Sequence, residues 1–176
     1  MENKNITESL AQFVVDSRME DFPPEVIEAG KKCLLDWMGV AFGGMKDPSI
    51  KIMIDLIKEM GGKRQASVLG YGMKTNVLNA ALINGTMSHV LDYDDAHSGT
   101  RSHPSAPLVP ALLSIAEWRK KSGSELITAF VAGFEVSTRI GLILGKSYYE
   151  SGWHATSILG RFGSAAGAGK LLRLNE

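Results

Sequence analysis

The chain has 176 residues, of which 19 are basic and 19 acidic, and 44% are hydrophobic. This is ordinary globular composition, and it excludes an intrinsically disordered chain. Because the charges balance and no long basic run occurs, the sequence has no electrostatic footprint for nucleic-acid binding.

Cysteine usage and the chain's N-terminus indicate the compartment. The single cysteine, Cys33, excludes an internal disulfide and fits a reducing environment. It lies four residues before Trp37 in an apolar helical pattern, so we interpret it as a core residue rather than a nucleophile. The N-terminus lacks a signal-peptide pattern, and no apolar run reaches the roughly 18 residues that span a bilayer. We therefore expect a cytoplasmic protein with no membrane partner.

Apolar residues recur at helical spacing along nearly the whole chain, which predicts an all-α fold. In chain order, we expect helices over residues 6–18, 24–42, 48–60, 76–91, 107–121, 123–144 and 156–172. Residues 65–72 break the pattern and predict a short extended piece or hairpin. With no βαβ alternation and no dinucleotide-binding fingerprint, we expect one helical domain over residues 1–176. Its abrupt end after a helix suggests part of a longer fold.

One polar loop within residues 84–110 concentrates the chemistry-bearing side chains. Three of the four histidines and three aspartates fall within fifteen positions: His89, Asp92, Asp94, Asp95, His97 and His103. Because burying an ionisable group carries a desolvation cost, such density between two apolar helices predicts a functional site.

The three aspartates follow an apolar helix, where acidic groups oppose the helix dipole and therefore cost stability. This penalty favours a functional role over a solvated helix end. In an extended segment, Asp92 and Asp94 would share one face and Asp95 would lie opposite. We therefore expect only one or two of them to point into a pocket.

Two histidines are candidates for proton transfer, and each could instead have no catalytic role. His103 precedes Pro104, so its backbone is extended and its ring can lie at the mouth of the next helix, whose N-terminus would favour an anionic ligand. The alternative is a surface histidine. His154 follows Gly152-Trp153 as a second candidate, although a lone histidine is more often structural. We expect His89 to make a structural helix contact and His97 to be solvated.

Small residues line one face of the last helix. Gly163 and Gly167 lie four positions apart with alanines between them. This pattern predicts close helix packing, either within the chain or at a subunit contact.

The motifs together resemble the MmgE/PrpD family, which includes 2-methylcitrate dehydratases, cis-aconitate decarboxylases and iminodisuccinate epimerases. The resemblance covers essentially the whole chain in order and rests on these segments: Ala80-Ala81-Leu82-Ile83-Asn84-Gly85-Thr86, Leu91-Asp92-Tyr93-Asp94-Asp95, His103-Pro104-Ser105-Ala106-Pro107, Gly123-Ser124-Glu125-Leu126, Ala132-Gly133-Phe134-Glu135, Gly152-Trp153-His154-Ala155-Thr156 and Phe162-Gly163-Ser164-Ala165-Ala166.

The resemblance implies the family's large helical domain, which a smaller α/β lid domain normally follows. It also implies a homodimer, a site between the two domains for small di- or tricarboxylates, and neither a metal nor an organic cofactor. The family's loop aspartate falls on Asp92, its His-Pro histidine on His103 and its Gly-x-His histidine on His154.

This chain departs from the family pattern in two ways. Ala96 stands where threonine is common, which removes a hydroxyl from an expected substrate contact. The chain is also less than half the usual family length, so we expect the lid domain to be absent and the isolated chain to be nearly inactive.

These considerations predict a lyase or isomerase that transfers a proton beside a carboxylate, with 2-methylcitrate dehydration as the first expectation. His103 is the predicted acid/base, Asp92 its partner, and His154 a second proton donor or carboxylate ligand. Arg101 is a possible carboxylate clamp, on charge and proximity alone. Asp95 and Ala96 complete the predicted substrate contacts.

Two other function classes stay open. The chain could be a non-catalytic helical interaction module, or a half-enzyme subunit that pairs with a separately encoded lid half. It could also be a metal-dependent hydrolase, because histidine and aspartate suit divalent metals. No His-x-x-x-His pair supports that alternative, and one cysteine cannot hold an iron–sulfur cluster. We expect no bound metal.

Overall fold

Eight α-helices and one small hairpin make up residues 5–145 and 147–175, the part of the chain that a computed structural model describes. The helices are α1 (Ile6–Asp16), α2 (Pro24–Gly44), α3 (Pro48–Met60), α4 (Val77–His89), α5 (Ser105–Arg119), α6 (Gly123–Leu144), α7 (Ser147–Glu150) and α8 (Ala155–Leu172). A 3₁₀ turn, Met19–Asp21, follows α1, and the antiparallel strands are β1 (Ala66–Val68) and β2 (Met73–Thr75). The predicted all-α fold is confirmed.

Helix ends follow the capping signals in the sequence. Asn76 accepts a hydrogen bond from the Asn79 backbone N–H at 2.9 Å, which starts α4. Ser122 and Glu125 form the reciprocal capping box of α6. The short helix α7 lies between the expected helices 123–144 and 156–172, where no helix was predicted. Because capping hydrogen bonds join residues only a few positions apart, the sequence predicts most helix ends to within two or three residues.

The hairpin is one of the two forms expected near residues 65–72, and side chains from two helices hold it. Asn84 on α4 accepts from the Leu69 N–H at 3.0 Å and donates to the Ser67 carbonyl at 2.9 Å. Glu117 on α5 accepts from the Ser67 N–H at 2.6 Å and pairs with Lys74 at 2.7 Å. Polar groups that the short strands leave unpaired are therefore satisfied from outside the sheet.

Helix α5 lies at the centre, where it packs against α2, α4, α6 and α8. The main core joins large apolar side chains from most of the helices: Trp37, Ile50, Ile83, Met87, Leu108, Leu112, Phe130 and Leu171. Because α4 and α5 pack side by side, the polar loop between them is anchored at both ends.

Helices α6 and α8 approach closely at glycines. A Cβ atom added to Gly163 would lie 2.8 Å from the Gly133 carbonyl oxygen, and one added to Gly133 would lie 2.6 Å from the Gly163 carbonyl oxygen. A Cβ on Gly167 would lie 2.8 Å from the Ala129 carbonyl oxygen. The predicted small-residue face therefore packs inside the chain.

Helix α6 is long and apolar enough to cross a membrane by length and composition, and it is the one such helix in the described residues. The sequence-based expectation of no membrane-length apolar run did not include this helix, in which Glu135 and Arg139 interrupt the apolar residues. Within its most apolar window, 56% of the residues are buried inside the protein. Because buried core helices pass the same test, this is weak evidence for a membrane span.

Candidate active site

The end of α4 and the start of α5 bring four polar side chains together: His89, Asp92, Asp94 and His103, which we call the His–Asp cluster. One ligand-type atom from each lies within 4.8 Å of those of the other three. His89 is the last residue of α4, and His103 lies two residues before α5. The two helices therefore fix the two histidines, and the loop supplies the carboxylates between them.

Asp94 lies at the centre of the cluster, and its side chain has no exposed surface. Its Oδ1 atom is 2.8 Å from His89 Nδ1, and its Oδ2 atom is 3.6 Å from His103 Nδ1. The two imidazole rings lie 5.1 Å apart between centroids. The carboxylate is thus held between two rings and out of water.

Asp92 approaches the other side of His103, with its Oδ1 atom 3.7 Å from His103 Nε2. Its side chain is 80% exposed, and its backbone has a φ of 49°, in the left-handed region. The Asp92 N–H donates to the His89 carbonyl at 3.0 Å, which ends α4 in a turn. Asp92 and Asp94 do face the same site, as predicted, but a left-handed turn rather than an extended segment puts them there.

Asp95 turns away from the cluster and caps α5. Its carboxylate accepts from the Ser105 N–H at 3.0 Å and from the Ser105 hydroxyl at 2.6 Å. Burial raises the pKa of the Asp95 carboxyl, while the bonds from Ser105 oppose that rise. The anion at this helix N-terminus is therefore the protein's own carboxylate, where we expected an anionic ligand. It also explains why α5 begins two residues earlier than predicted.

Ala96 and Arg101, the other two predicted substrate contacts, are both exposed. The Arg101 guanidinium lies over the Tyr149 ring, 5.4 Å from its centroid. It lines a small cavity with Tyr148 and Tyr149, and none of the cluster residues lines that cavity. The structure therefore does not bring Arg101 to His103, and the predicted clamp role was based on sequence proximity that the loop's path does not preserve.

His97 is half-buried, so the expectation that it is solvated was wrong. The Nδ1 atom of its ring is 3.0 Å from the Thr100 hydroxyl, and its backbone N–H donates to the Ser102 carbonyl at 2.8 Å. The ring edge packs on Phe134, with 6.1 Å between centroids. We call residues 97–102 the outer turn. Its hydrogen bonds and this contact hold the histidine against α6.

His154 is the N-cap of α8, and its Nδ1 atom accepts from the Ser157 N–H at 3.2 Å. It lines a groove of about 610 Å³ between α4, α5 and α8, which His89 and Arg161 also line. The Thr156 hydroxyl accepts from the His103 N–H at 2.9 Å, so the start of α8 is tied to the cluster. Of the cluster residues, His89 lines this groove together with His154, and His103 is joined to it through the bond to Thr156.

Three residues at this site were not singled out as functional by sequence. His89 and Asp94 meet only because the left-handed turn at Asp92 folds the loop back. Arg161 lies seven residues after His154, which is two helical turns and the same face of α8. That spacing is a sequence signal that could have identified it.

Cys33 behaves as the core residue that we predicted. It is half-buried and packs against the main core. Burial, assisted by the Asp95 and Asp36 carboxylates, raises the pKa of the thiol to about 11. Because the thiolate is the nucleophile, a thiol with this pKa is poorly suited to nucleophilic catalysis.

Comparison with known proteins agrees with the motif resemblance. Residues 8–176 match the profile of the MmgE/PrpD N-terminal domain. The cis-aconitate decarboxylase-like protein oryM of Aspergillus oryzae is 30% identical over 97% of this chain and 37% of its own length. Cis-aconitate decarboxylase of Aspergillus terreus is 28% identical, covering 96% and 36%. Human cis-aconitate decarboxylase is 32% identical, covering 98% and 37%. The chain thus spans just over a third of the length of these relatives.

Proposed function

The chain belongs to the MmgE/PrpD family, and from this premise we propose that it carries the proton-transfer part of a lyase or isomerase acting on small di- or tricarboxylates. The observation that carries the proposal is the His–Asp cluster beside the groove that His154 and Arg161 line. Such a substrate has a C–H beside a carboxylate, so a base must remove or deliver a proton there while cations hold the carboxylates.

His103 is the proposed acid/base. Its side chain is 26% exposed, and its Nε2 atom faces the exposed Asp92 carboxylate. Pro104 and the hydrogen bond to Thr156 hold its backbone. A ring that is fixed yet reachable can meet a substrate proton without first reorganising, which lowers the cost of the chemical step.

Arg161 and His154 are the proposed carboxylate ligands. Both line the groove, whose other lining residues are mainly apolar. A guanidinium can hold a carboxylate through two parallel hydrogen bonds, and an apolar surround strengthens that attraction. Arg161 takes the role that we first expected of Arg101.

Dehydration, decarboxylation and epimerisation share this proton transfer, so the cluster serves any of them. Our sequence-based expectation was dehydration of 2-methylcitrate, whereas the relatives are named for decarboxylation of cis-aconitate. We propose both compounds as first test substrates. The homodimer and the lid domain that the resemblance implies, and the cytoplasmic location, stay predictions.

A binding experiment on this chain tests the proposal directly. We expect cis-aconitate or 2-methylcitrate at millimolar concentration to shift the NMR signals of His103, His154 and Arg161, and to leave those of His97 unchanged. Equal shifts at all histidines would indicate non-specific anion binding and count against the site. No shift from either compound would favour the non-catalytic module.

Turnover is tested after adding the part of the relatives that this chain does not cover. The chain alone should be nearly inactive, because a site without its full set of cations loses orientation and charge stabilisation together. Mixed with or fused to the C-terminal part of the human relative, it should release CO2 from cis-aconitate or lose water from 2-methylcitrate. A hybrid that folds, binds both compounds and neither turns them over nor exchanges their C–H hydrogen with solvent would overturn the proposal.

The metal-dependent hydrolase is the second candidate, and the same cluster favours it. Two imidazoles and two carboxylates whose ligand atoms lie within 4.8 Å of one another suit a divalent metal. Elemental analysis separates the two functions. Stoichiometric zinc, manganese or iron in the purified protein, with activity lost to a chelator, would replace the lyase proposal.

A further inference from the structure

Two buried polar atoms at the centre of the His–Asp cluster lack hydrogen-bond partners among the described residues. They are Asp94 Oδ2 and His103 Nδ1, and they lie 3.6 Å from each other. A buried carboxylate oxygen without a donor costs free energy, and so does a buried ring nitrogen without a partner. A small rotation of the His103 ring would satisfy both atoms at once.

We propose that Asp94 is a positioning residue that fixes the tautomers of both histidines. Its carboxylate accepts the Nδ1–H of His89 on one oxygen and the Nδ1–H of His103 on the other. Each ring then carries its basic lone pair on Nε2, away from Asp94. Asp94 is not among the residues that the sequence predicted to be catalytic or to bind substrate.

The tautomer of His89 follows from which of the two groups can donate a hydrogen bond. An ionised carboxylate can only accept hydrogen bonds, and Asp94 Oδ1 lies 2.8 Å from His89 Nδ1. The nitrogen must therefore carry the proton. Since Nδ1–H is taken, the remaining lone pair of a neutral ring is on Nε2, and His89 lines the groove.

The tautomer of His103 follows from the electrostatic repulsion that the alternative tautomer would create. A neutral ring with its proton on Nε2 would point the Nδ1 lone pair at Asp94 Oδ2, so two acceptors would face each other in a site without water contact at the carboxylate. That repulsion is removed when the proton is on Nδ1. Nε2 then faces Asp92 Oδ1 at 3.7 Å, but the Asp92 side chain is 80% exposed, so water screens that contact and the Nε2 lone pair can take a substrate proton.

A long-range ¹H–¹⁵N correlation spectrum of the histidine-labelled chain tests the tautomers without any substrate. At a pH where the rings are neutral, His89 and His103 should show a protonated Nδ1 and an unprotonated Nε2. His154 is an internal control with the opposite tautomer, because its Nδ1 accepts from the Ser157 N–H. A protonated Nε2 on His103 in the unaltered chain would overturn the proposal.

Substitution gives the second measurement. Asp94→Asn keeps the shape but offers an amide that donates as well as accepts, so His103 should shift toward the Nε2–H tautomer. Asp92→Asn is the matched control and should leave both tautomers as they are. Unchanged His89 and His103 signals in folded Asp94→Asn would reject the assignment. If that variant does not fold, the spectrum of the unaltered chain still decides.

The consequence for catalysis rests on the proposed function. In an active hybrid, Asp94→Asn should lower kcat by about 10²- to 10⁴-fold, with KM little changed, because a buried carboxylate that sets the tautomer of a catalytic histidine has an effect of that order. An Nδ1–H tautomer together with an inactive hybrid would mean that Asp94 positions the rings while the proposed reaction is wrong. A normal kcat in folded Asp94→Asn would reject the catalytic consequence.

Discussion

The His–Asp cluster and the outer turn belong to one loop and use similar residue types, yet their polar groups are satisfied very differently. In the outer turn, His97 bonds to Thr100, the Thr100 and Ser102 hydroxyls lie 2.7 Å apart, and the Tyr148 hydroxyl donates to the Thr100 carbonyl at 2.7 Å. In the cluster, two buried polar atoms are left without a hydrogen bond.

This difference separates a structural histidine from a functional one. A satisfied polar network rigidifies the loop and needs nothing further, whereas an unsatisfied buried atom costs about 1–3 kcal/mol. Such a cost is one feature of groups kept for their chemistry, although Trp37 Nε1 and Ser114 Oγ also lack partners among the described residues. The outer turn therefore holds the loop against α6, and the cluster is the part that we propose carries the chemistry.

The largest contrast should come from replacing one histidine in each region. His103→Ala should lower the activity of a hybrid enzyme on the order of 10²-fold or more, because it removes the proposed acid/base. His97→Ala should lower stability by about 1 kcal/mol through its lost hydrogen bonds, with activity per folded molecule little changed. Steady-state kinetics with matched urea unfolding measures both. Equal losses of activity would mean that the loop needs its histidines for folding alone.

Crowding the outer turn should cost stability without touching the chemistry. A Cβ on Gly141 would lie 2.6 Å from Thr100 Cγ2 and 2.6 Å from Leu159 Cδ1. Gly141→Ala should therefore destabilise the chain by about 1–3 kcal/mol. Gly123→Ala is the control on the same helix, because no atom lies within 4 Å of its Cβ position. Similar urea midpoints for the two variants would show that the turn is not packed as described.

Removing one hydroxyl should have a smaller effect. Tyr148→Phe deletes the donor to the Thr100 carbonyl and should cost about 1 kcal/mol. Tyr149→Phe keeps the ring beneath Arg101 and should stay within about 0.5 kcal/mol of the unaltered chain, as an exposed substitution does. The comparison is made by thermal or urea unfolding. A Tyr149 effect as large as that of Tyr148 would point to a role for Arg101 and its ring that the geometry does not show.

The smallest effect should come from the pH dependence of Asp95, which lies between the two regions. Because its folded-state pKa is raised, the folded chain binds more protons than the unfolded chain just above pH 3.8. Stability from this group therefore falls as pH rises from 3.8 through the folded pKa and is level above it. Asp95→Asn keeps an acceptor for Ser105 and should remove that fall. Identical pH profiles of unfolding for the two proteins would contradict the raised pKa.

Local chemistry made most of the fold predictable. The capping residues Asn76 and Ser122, and the apolar period of the helices, act over a few residues, so they give the same result in any tertiary context. The hairpin was only half predicted, because Asn84 and Glu117, which hold it, come from helices that lie 15 or more residues further along the chain.

The candidate site was predictable only as a set of residue types. Sequence identified His103 and Asp92, and the structure places them beside each other. The sequence also predicted that Arg101 binds substrate, whereas its guanidinium lies over the Tyr149 ring. It predicted that His97 is solvated, whereas His97 is half-buried and bonds to Thr100. Proximity along a loop does not say which way a side chain points, because one left-handed residue redirects everything that follows.

By itself, the sequence determined the helical period, the caps, the family and the loop in which the ionisable groups are concentrated. Tertiary structure alone decided which of those groups are buried against each other: that Asp94 lies between two imidazoles, that Asp95 caps α5, and that Arg161 rather than Arg101 lines the groove. The physical reason is the distance along the chain over which each kind of interaction acts. Helix formation and capping are settled within one or two turns, whereas desolvation and pairing of charges depend on how α4, α5 and α8 pack around the loop.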